Sequence, residues 1–406
     1  LKTQYLSSSL RSVSPEQTIA AASKLLDRFG ITRVSEITRL DRVGIPVFAS
    51  IRPDALPGSL CVNAGKGLRS IEAHAGAYME AIEFAAAEYR TSPLPVEYLT
   101  PKQIYPKTSG RQFLNLCPQF QIQVLLEEKI ACVQAAEIVS GERKFVPAEL
   151  VFMPYPEELG LQTYFGSGSN GLCSGNTVQE AAVHGICELL ERDTKSFLFL
   201  KDTSFLVEDW ETEGILNEIF TTVQASDLSI FLRYSANQFE IPYFEAFLFE
   251  LDAKDPIYIS GGYGCHPIKQ IAAVRALTEA CQSRLSFIHG GRDDLIDRYE
   301  LFGRMSASEQ IQFETQLAAK IKRADQRIGF AEIPDYSNSI MSISSAYDFL
   351  QKRLQDNGFD EIYLVNFNLP SDDLHVLRMI IPKLEAFDRL SPRIGSRLAE
   401  FAKKNA

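Results

Sequence analysis

GLCSGNTVQEAAVHGICELLERD, residues 171–193, joins a glycine-rich run to a helical period. The preceding stretch 166–176, GSGSNGLCSGN, reads as loop, and a helix is expected over about 177–200. On that helix Glu180, His184, Glu188 and Glu191 fall within roughly 80° of arc. Val183, Ile186, Leu189, Leu190 and Phe197 lie on the other side. Arg192 sits on the border, where it can pair with a carboxylate or a phosphate. The loop from Gly166 to Asn176 sets many backbone N–H groups beside a helix N-terminus, an arrangement suited to anions. It is not a P-loop, because G-x-x-x-x-G-K-[ST] occurs nowhere in the chain. The bland alternative is a polar outer face.

Two other helices carry charge in the same manner. GKGLRSIEAHAGAYMEAIE, residues 65–83, opens a helix expected over about 68–90. Gly76, Glu80 and Glu83 are spaced i, i+4, i+7 and share a face with Arg69 and Ala73, while Ile71, Ala75, Tyr78 and Ile82 lie elsewhere. Gly65 and Gly67 let the backbone approach a ligand closely, and Lys66 between them can meet a phosphate. Carboxylates one turn apart can bridge hard cations through oxygen. A solvated acidic face is the competing account. In RALTEACQSRLSFIHGGRDD, residues 275–294, Arg275, Glu279, Gln282 and Ser286 line one stripe of a helix expected over about 267–289. An Arg–Glu pair at this spacing is usually a surface ion pair.

One use accounts for all three helices: a triphosphate held by cationic side chains and by carboxylates that bridge a divalent cation. Carboxylates alone would repel the polyanion, so the cation is required by charge balance. Mg²⁺ takes a few carboxylates plus phosphate oxygens.

The remaining chain is expected to form helices at 15–30, 307–325 and 345–357. Strands are expected at 60–67, 119–125, 144–154, 228–234, 244–250, 256–262 and 361–366, and loop at 92–115. This alternation indicates an α/β class. No repeat or low-complexity linker divides the 406 residues, so one domain over 1–406 is expected. The net charge of −11 and the absence of a basic run argue against a nucleic-acid partner. No apolar run is long enough to span a membrane. Seven widely spaced cysteines without C-x-x-C favour reduced thiols and a cytoplasmic setting. Cys173, His184 and the neighbours Cys265 and His266 are candidates for chemistry, each with a structural reading at least as ready. No G-x-S-x-G supports a hydrolase, and no catalytic residue is singled out.

The three segments together resemble the ATP-site segments of YcaO-domain proteins. The opening LKTQYLSSSLRSVSPEQT (1–18) and FGITRVSEITRLDRVGIPVFASIRP (29–53) are similar to that family as well, with a weaker echo at VLRMIIPKLEAF (376–387). The resemblance implies an α/β ATP-binding fold, with mixed sheets flanked by helices. It implies Mg²⁺ ligands at Glu80, Glu83, Glu188 and Glu191. Nucleotide-site positions would be Arg192, Arg275 and Glu279, with Lys2, Ser9, Asn176 and Glu180 as further matches, beside the Lys66 and Arg69 read above. Where the family usually has Ser before the first Glu, this chain has Gly76. The implied chemistry is ATP-dependent phosphorylation of a peptide amide oxygen after a nucleophile has added to the carbonyl. The third segment looks more like stand-alone members that work with a TfuA-like partner in thioamidation of a peptide or protein. The ending AEFAKKNA lacks the Pro-rich tail frequent in azoline-forming members. Azoline or amidine formation, and a non-catalytic scaffold that binds a partner or leader peptide, are the alternatives. A homodimer is a family-level expectation.

Overall fold

In the computed structural model, which describes residues 3–160, 162–250, 259–388 and 392–405, a glycine-containing strand turns directly into a long helix three times. Val62–Lys66 leads into Ser70–Ala87, Leu172–Gly175 into Val178–Leu200, and Ser260–Cys265 into Lys269–His289. Each helix lies back on its strand at a distance only glycine permits. A Cβ on Gly65 would stand 2.1 Å from both Ala73 O and Ala77 N. Gly262 is in the same position, 2.2 Å from Ala276 O and Ala280 N, and Gly175 is 2.6 Å from Ala181 N. The facing helix residues Ala73, Ala77, Ala181, Ala276 and Ala280 are fully buried. A Cβ at Gly76 would come within 3.3 Å of Gly65 Cα, which is the local reason a side chain is crowded there. Ser50 Oγ adds a bond to Ala77 O at 2.8 Å, so a neighbouring strand also grips the first helix.

The contacts divide the chain into two compact units. The first comprises Leu1–Ala55, Leu60–Ala81 and Thr203–Ser342; the second comprises Leu56–Ser59, Ile82–Asp202 and Ile343–Ala406. The division falls inside the helix Ser70–Ala87, between Ala81 and Ile82.

The first unit holds an antiparallel sheet of Arg33–Glu36, Val47–Ile51 and Val62–Lys66, with Val62–Lys66 at one edge. Its second sheet runs Ser260–Cys265, Tyr243–Phe249, Ser229–Tyr234, Phe205–Glu208, Arg327–Gly329, with only the last pairing parallel. The helix Lys269–His289 covers this sheet, its Ala272, Ala276 and Ala280 packing in a core with Leu232, Phe244 and Leu248. In the second unit six antiparallel strands form one sheet, ordered Val96–Leu99, Ile130–Glu137, Tyr363–Asn366, His375–Ile380, Leu172–Gly175. The sixth strand, Arg143–Pro147, pairs with Ile130–Glu137. The helix Ile343–Asp356 buries Ile343, Ala346, Leu350 and Leu354, a helical stripe, and packs on Val178–Leu200.

The α/β class is borne out, and the ends of the three central helices lie within three residues of expectation. Other expectations give way. No strand forms at 119–125, where Pro118 precedes and Gln121 adopts φ 70°. The strand expected at 144–154 ends at Pro147, after which Ala148–Leu150 makes a 3-10 turn. Within 92–115 lie the strand Val96–Leu99 and a one-turn helix, Pro101–Ile104, capped by Thr100. The run 166–176 is not all loop, since Leu172–Gly175 pairs with His375–Ile380. The helix at 15–30 stops at Ala22 and tightens into a 3-10 turn. Ile130–Glu137, the longest described strand, has no counterpart in the expectations. Part of the strand expected at 256–262 lies outside the described residues.

The glycine contacts set a sharp test. Gly65→Ala forces a backbone shift and is expected to destabilise the protein by about 3 kcal/mol or more. Gly168→Ala, with nothing within 4 Å of the added carbon, should stay within about 0.5 kcal/mol of wild type. Chemical denaturation of both variants checks this; equal stabilities would show that the first helix does not need the contact.

Candidate functional site

In the first unit, Lys66 ends its strand and its Nζ forms an ion pair with Glu279 on the helix Lys269–His289. Both side chains are half-buried, which screens the pair less than water would. One turn earlier on that helix stands Arg275. Close to it is His266, only 5% exposed, in the turn between strand and helix. Burial, and then the Arg275 guanidinium, push its imidazole down to about 3. The ring is therefore neutral, and Nδ1 accepts from Ile268 N at 3.0 Å, leaving the proton on Nε2. Asp335 Oδ1 takes the Lys269 N–H at 3.1 Å and caps the helix.

Glu80 turns one carboxylate oxygen back onto the strand, accepting from Ala64 N at 2.6 Å. Arg69 is 77% exposed and stands 3.9 Å from the buried Glu72. Glu72 accepts from Ser7 Oγ at 3.1 Å. Ser9 Oγ accepts from Arg11 Nε at 3.0 Å within the N-terminal hairpin. Lys2 lies outside the described residues.

In the second unit, Ser174 Oγ donates to Glu83. Glu83 and Glu188 come from different helices yet act on the same two groups. Burial, and then these two carboxylates, hold the Cys173 thiol well above its ordinary value. The same carboxylates favour the charged form of Arg378, which burial pushes down to about 10. Arg378 is 1% exposed. Its guanidinium donates to Val151 O at 3.2 and 3.0 Å, Gly168 O at 2.9 Å and Asn170 O at 3.1 Å. It thereby fixes the glycine-rich loop before the helix Val178–Leu200. Cys173 is a buried, protonated thiol and not a nucleophile. Asn176 Nδ2 donates to Asp373 O at 3.0 Å, and Thr177 caps the helix through Glu180 N at 3.2 Å. Glu180 and Glu191 are buried, while His184 and Arg192 are half-buried. After Arg192, Asp193 binds Arg397 and Glu385 N, fastening the C-terminal helix Ser396–Asn405 to the same element.

Ser174 and Arg378 are participants that the pattern of charged helix faces did not mark. Arg378 alone had a signal, being the one charge in the apolar run VLRMII.

Among the described residues no three His, Cys, Asp or Glu side chains gather into a ready-made metal cage. Mg²⁺ binds through carboxylates together with waters and phosphate oxygens. The donors on offer are carboxylate oxygens, the hard ligands this ion prefers. In the first unit Lys66 and Arg275, and in the second Arg192, are cationic side chains of the kind that can pair with phosphate oxygens. The residues fit the pair of groups.

The model of the family described as YcaO cyclodehydratase, ATP- and Mg²⁺-binding, matches residues 64–385. A protein of Rhizobium leguminosarum bv. trifolii, encoded in the tfuA 3′ region, is 31% identical over 386 residues, covering 92% of this chain and 88% of its own. The structure of YcaO from Methanopyrus kandleri bound with AMPPCP and Mg²⁺ superposes with a TM-score of 0.76 at 21% identity, covering 98% of each chain. A heterocyclase in complex with substrate and cofactor gives a TM-score of 0.74 at 18% identity, over 96% of this chain and 54% of that one.

The neutral His266 makes stability depend on pH with a definite sign. Its folded value lies below the ordinary 6.5, so the unfolded chain binds the extra proton first and stability falls on acidification from about 6.5 towards 3. His266→Gln keeps an acceptor for Ile268 N and should remove up to about 1.4 kcal/mol per pH unit of that slope. Urea melts of both proteins between neutral pH and pH 4 measure it; parallel curves would mean that His266 is not held neutral.

Proposed function

Because this chain belongs to the YcaO family, we propose that it activates a peptide backbone amide by ATP-dependent O-phosphorylation, with thioamide formation as the outcome. The observation that carries the reading is that Glu83, held by Ser174 Oγ, and Glu188, from a separate helix, both act electrostatically on Cys173 and Arg378. One guanidinium, that of Arg378, offsets at most one of these two carboxylates, so a further cation is favoured beside them. In this reading Glu80, Glu83, Glu188 and Glu191 hold Mg²⁺, which supplies charge balance between the carboxylates and the triphosphate. Lys66, Arg192, Arg275, Asn176 and Glu180 bind the nucleotide, with Glu279 orienting Lys66 through their ion pair. Ser9 and Lys2 join the set on the strength of the family pattern, and Arg69 through the helix face it shares with Glu80 and Glu83.

The reaction balances without an oxidant. Hydrosulfide adds to the amide carbon, and the former carbonyl oxygen takes the terminal phosphoryl group as its bond to ADP breaks. That oxygen departs as inorganic phosphate, carrying the proton lost from sulfur, and the C=S bond closes. An amide oxygen is a poor leaving group and phosphate is a good one. The protein's task is therefore positioning and electrostatic stabilisation of the transferring group.

Thioamidation with a TfuA-like partner is favoured by the tfuA 3′ location of the rhizobial relative. The second reading is cyclodehydration to an azoline, favoured by the family's description and by the likeness to a heterocyclase. Both use the same ATP site and differ in the nucleophile.

Two measurements follow. Calorimetry with ATP should give binding that requires Mg²⁺ and is lost in Glu80→Gln/Glu83→Gln; Mg²⁺-independent binding, or a variant that binds normally, would refute the metal assignment. With ATP, Mg²⁺, sulfide and a TfuA-like protein, a modified peptide should gain the mass of an oxygen-to-sulfur exchange. Loss of water without need for sulfide would assign cyclodehydration instead, and no ADP release with any peptide would count against both.

A further inference from the structure

Among the described residues the strand Val62–Lys66 is an edge strand of its sheet, with a neighbouring strand on one side of its backbone. An edge of this kind needs other partners when it is buried. At Ala64, itself buried, two side chains provide them. Glu80 accepts from Ala64 N at 2.6 Å, and Gln282 Nε2 donates to Ala64 O at 2.6 Å. Glu80 comes from the helix Ser70–Ala87 and Gln282 from the helix Lys269–His289, so one residue of the strand is held from two helices. Gln282 is 8% exposed and lies on the same stripe as Arg275 and Glu279. On the same strand, two residues on, Lys66 pairs with Glu279.

We propose that Gln282 is a positioning residue for Glu80, acting through the Ala64 backbone; this rests on the reading of Glu80 as a Mg²⁺ ligand. The Ala64 N–H fixes one carboxylate oxygen of Glu80 and thereby its rotamer. Gln282 fixes the carbonyl of the same residue and so prevents the edge strand from rotating that N–H away. A ligand held in this way loses little freedom on binding a metal, and partners of ligands are where metal affinity is tuned. The amide is suited to the role. It is neutral, so it brings no charge into a place that already holds Glu80, Glu279 and Lys66. It also offers a donor that Leu, Met or Glu cannot supply to a carbonyl.

The test is calorimetric ATP binding at a series of Mg²⁺ concentrations, together with thermal melts. The proteins are wild type, Gln282→Leu, Gln282→Met, Glu80→Gln and Glu80→Gln/Gln282→Leu. Glu80→Gln keeps an acceptor for Ala64 N and removes only the charge. We expect Gln282→Leu and Gln282→Met to raise the Mg²⁺ concentration for half-maximal binding by about 10- to 100-fold. The double variant should be no worse than Glu80→Gln alone, as for residues that act as one unit. Unchanged Mg²⁺ dependence in the Gln282 variants, with a clear shift in Glu80→Gln, overturns this inference and leaves the site reading intact. No shift in Glu80→Gln overturns both. A lowered melting temperature without a Mg²⁺ shift, or failure of both Gln282 variants to fold, makes Gln282 a structural residue and also refutes the proposal.

Discussion

Contact between the backbone of Gly65 and the backbone of the helix Ser70–Ala87 governs what this strand and helix can present. Only a residue without Cβ lets Ala73 O and Ala77 N lie against the strand. From that approach follow the Ser50 bond to Ala77 O, the return of Glu80 to Ala64 N, and the placing of Lys66 at the strand end beside Glu279. The same device recurs where Gly175 meets Ala181 and where Gly262 meets Ala276 and Ala280. Three strand–helix units built on glycine and alanine put polar side chains on rigid elements, where their geometry is better controlled than on loops.

Around these elements stand polar groups that burial alone would disfavour. Desolvation works against Arg378, Asp193 and His266, and each is met differently. Arg378 is surrounded by backbone carbonyls and two carboxylates, Asp193 is bound by Arg397, and His266 stays neutral with its Nδ1 occupied. Buried polar groups with complete sets of partners specify one arrangement, because every alternative leaves a partner unsatisfied. The YcaO reading depends on that rigidity, since phosphoryl transfer is largely a matter of placing charge.

Much of this was legible beforehand. The helices at 70–87, 178–200 and 269–289 were readable because long stretches with apolar residues at period 3.6 and glycine-containing leads have few other folds. The acidic and basic positions on them were readable for the same reason. The strand Ile130–Glu137 was not, because IACVQAAE contains three alanines, a residue depleted in strands, and owes its form to pairing on both sides. Arg378 was quoted in the family echo at 376–387, but nothing in that run says that its guanidinium reaches back to residues 151–170.

By itself the sequence determined the α/β class, the three helices, the face each charge occupies and the family to which they belong. These are local properties: period, spacing and the absence of a Cβ act between residues a few positions apart. Tertiary structure decided which charges meet. Lys66 finds Glu279 across 213 positions, Gln282 finds Ala64 across 218, and Ser174 finds Glu83 across 91. Such pairings are fixed by sheet order and by how closely a helix can lie on its strand, and a periodicity within one segment carries no record of either.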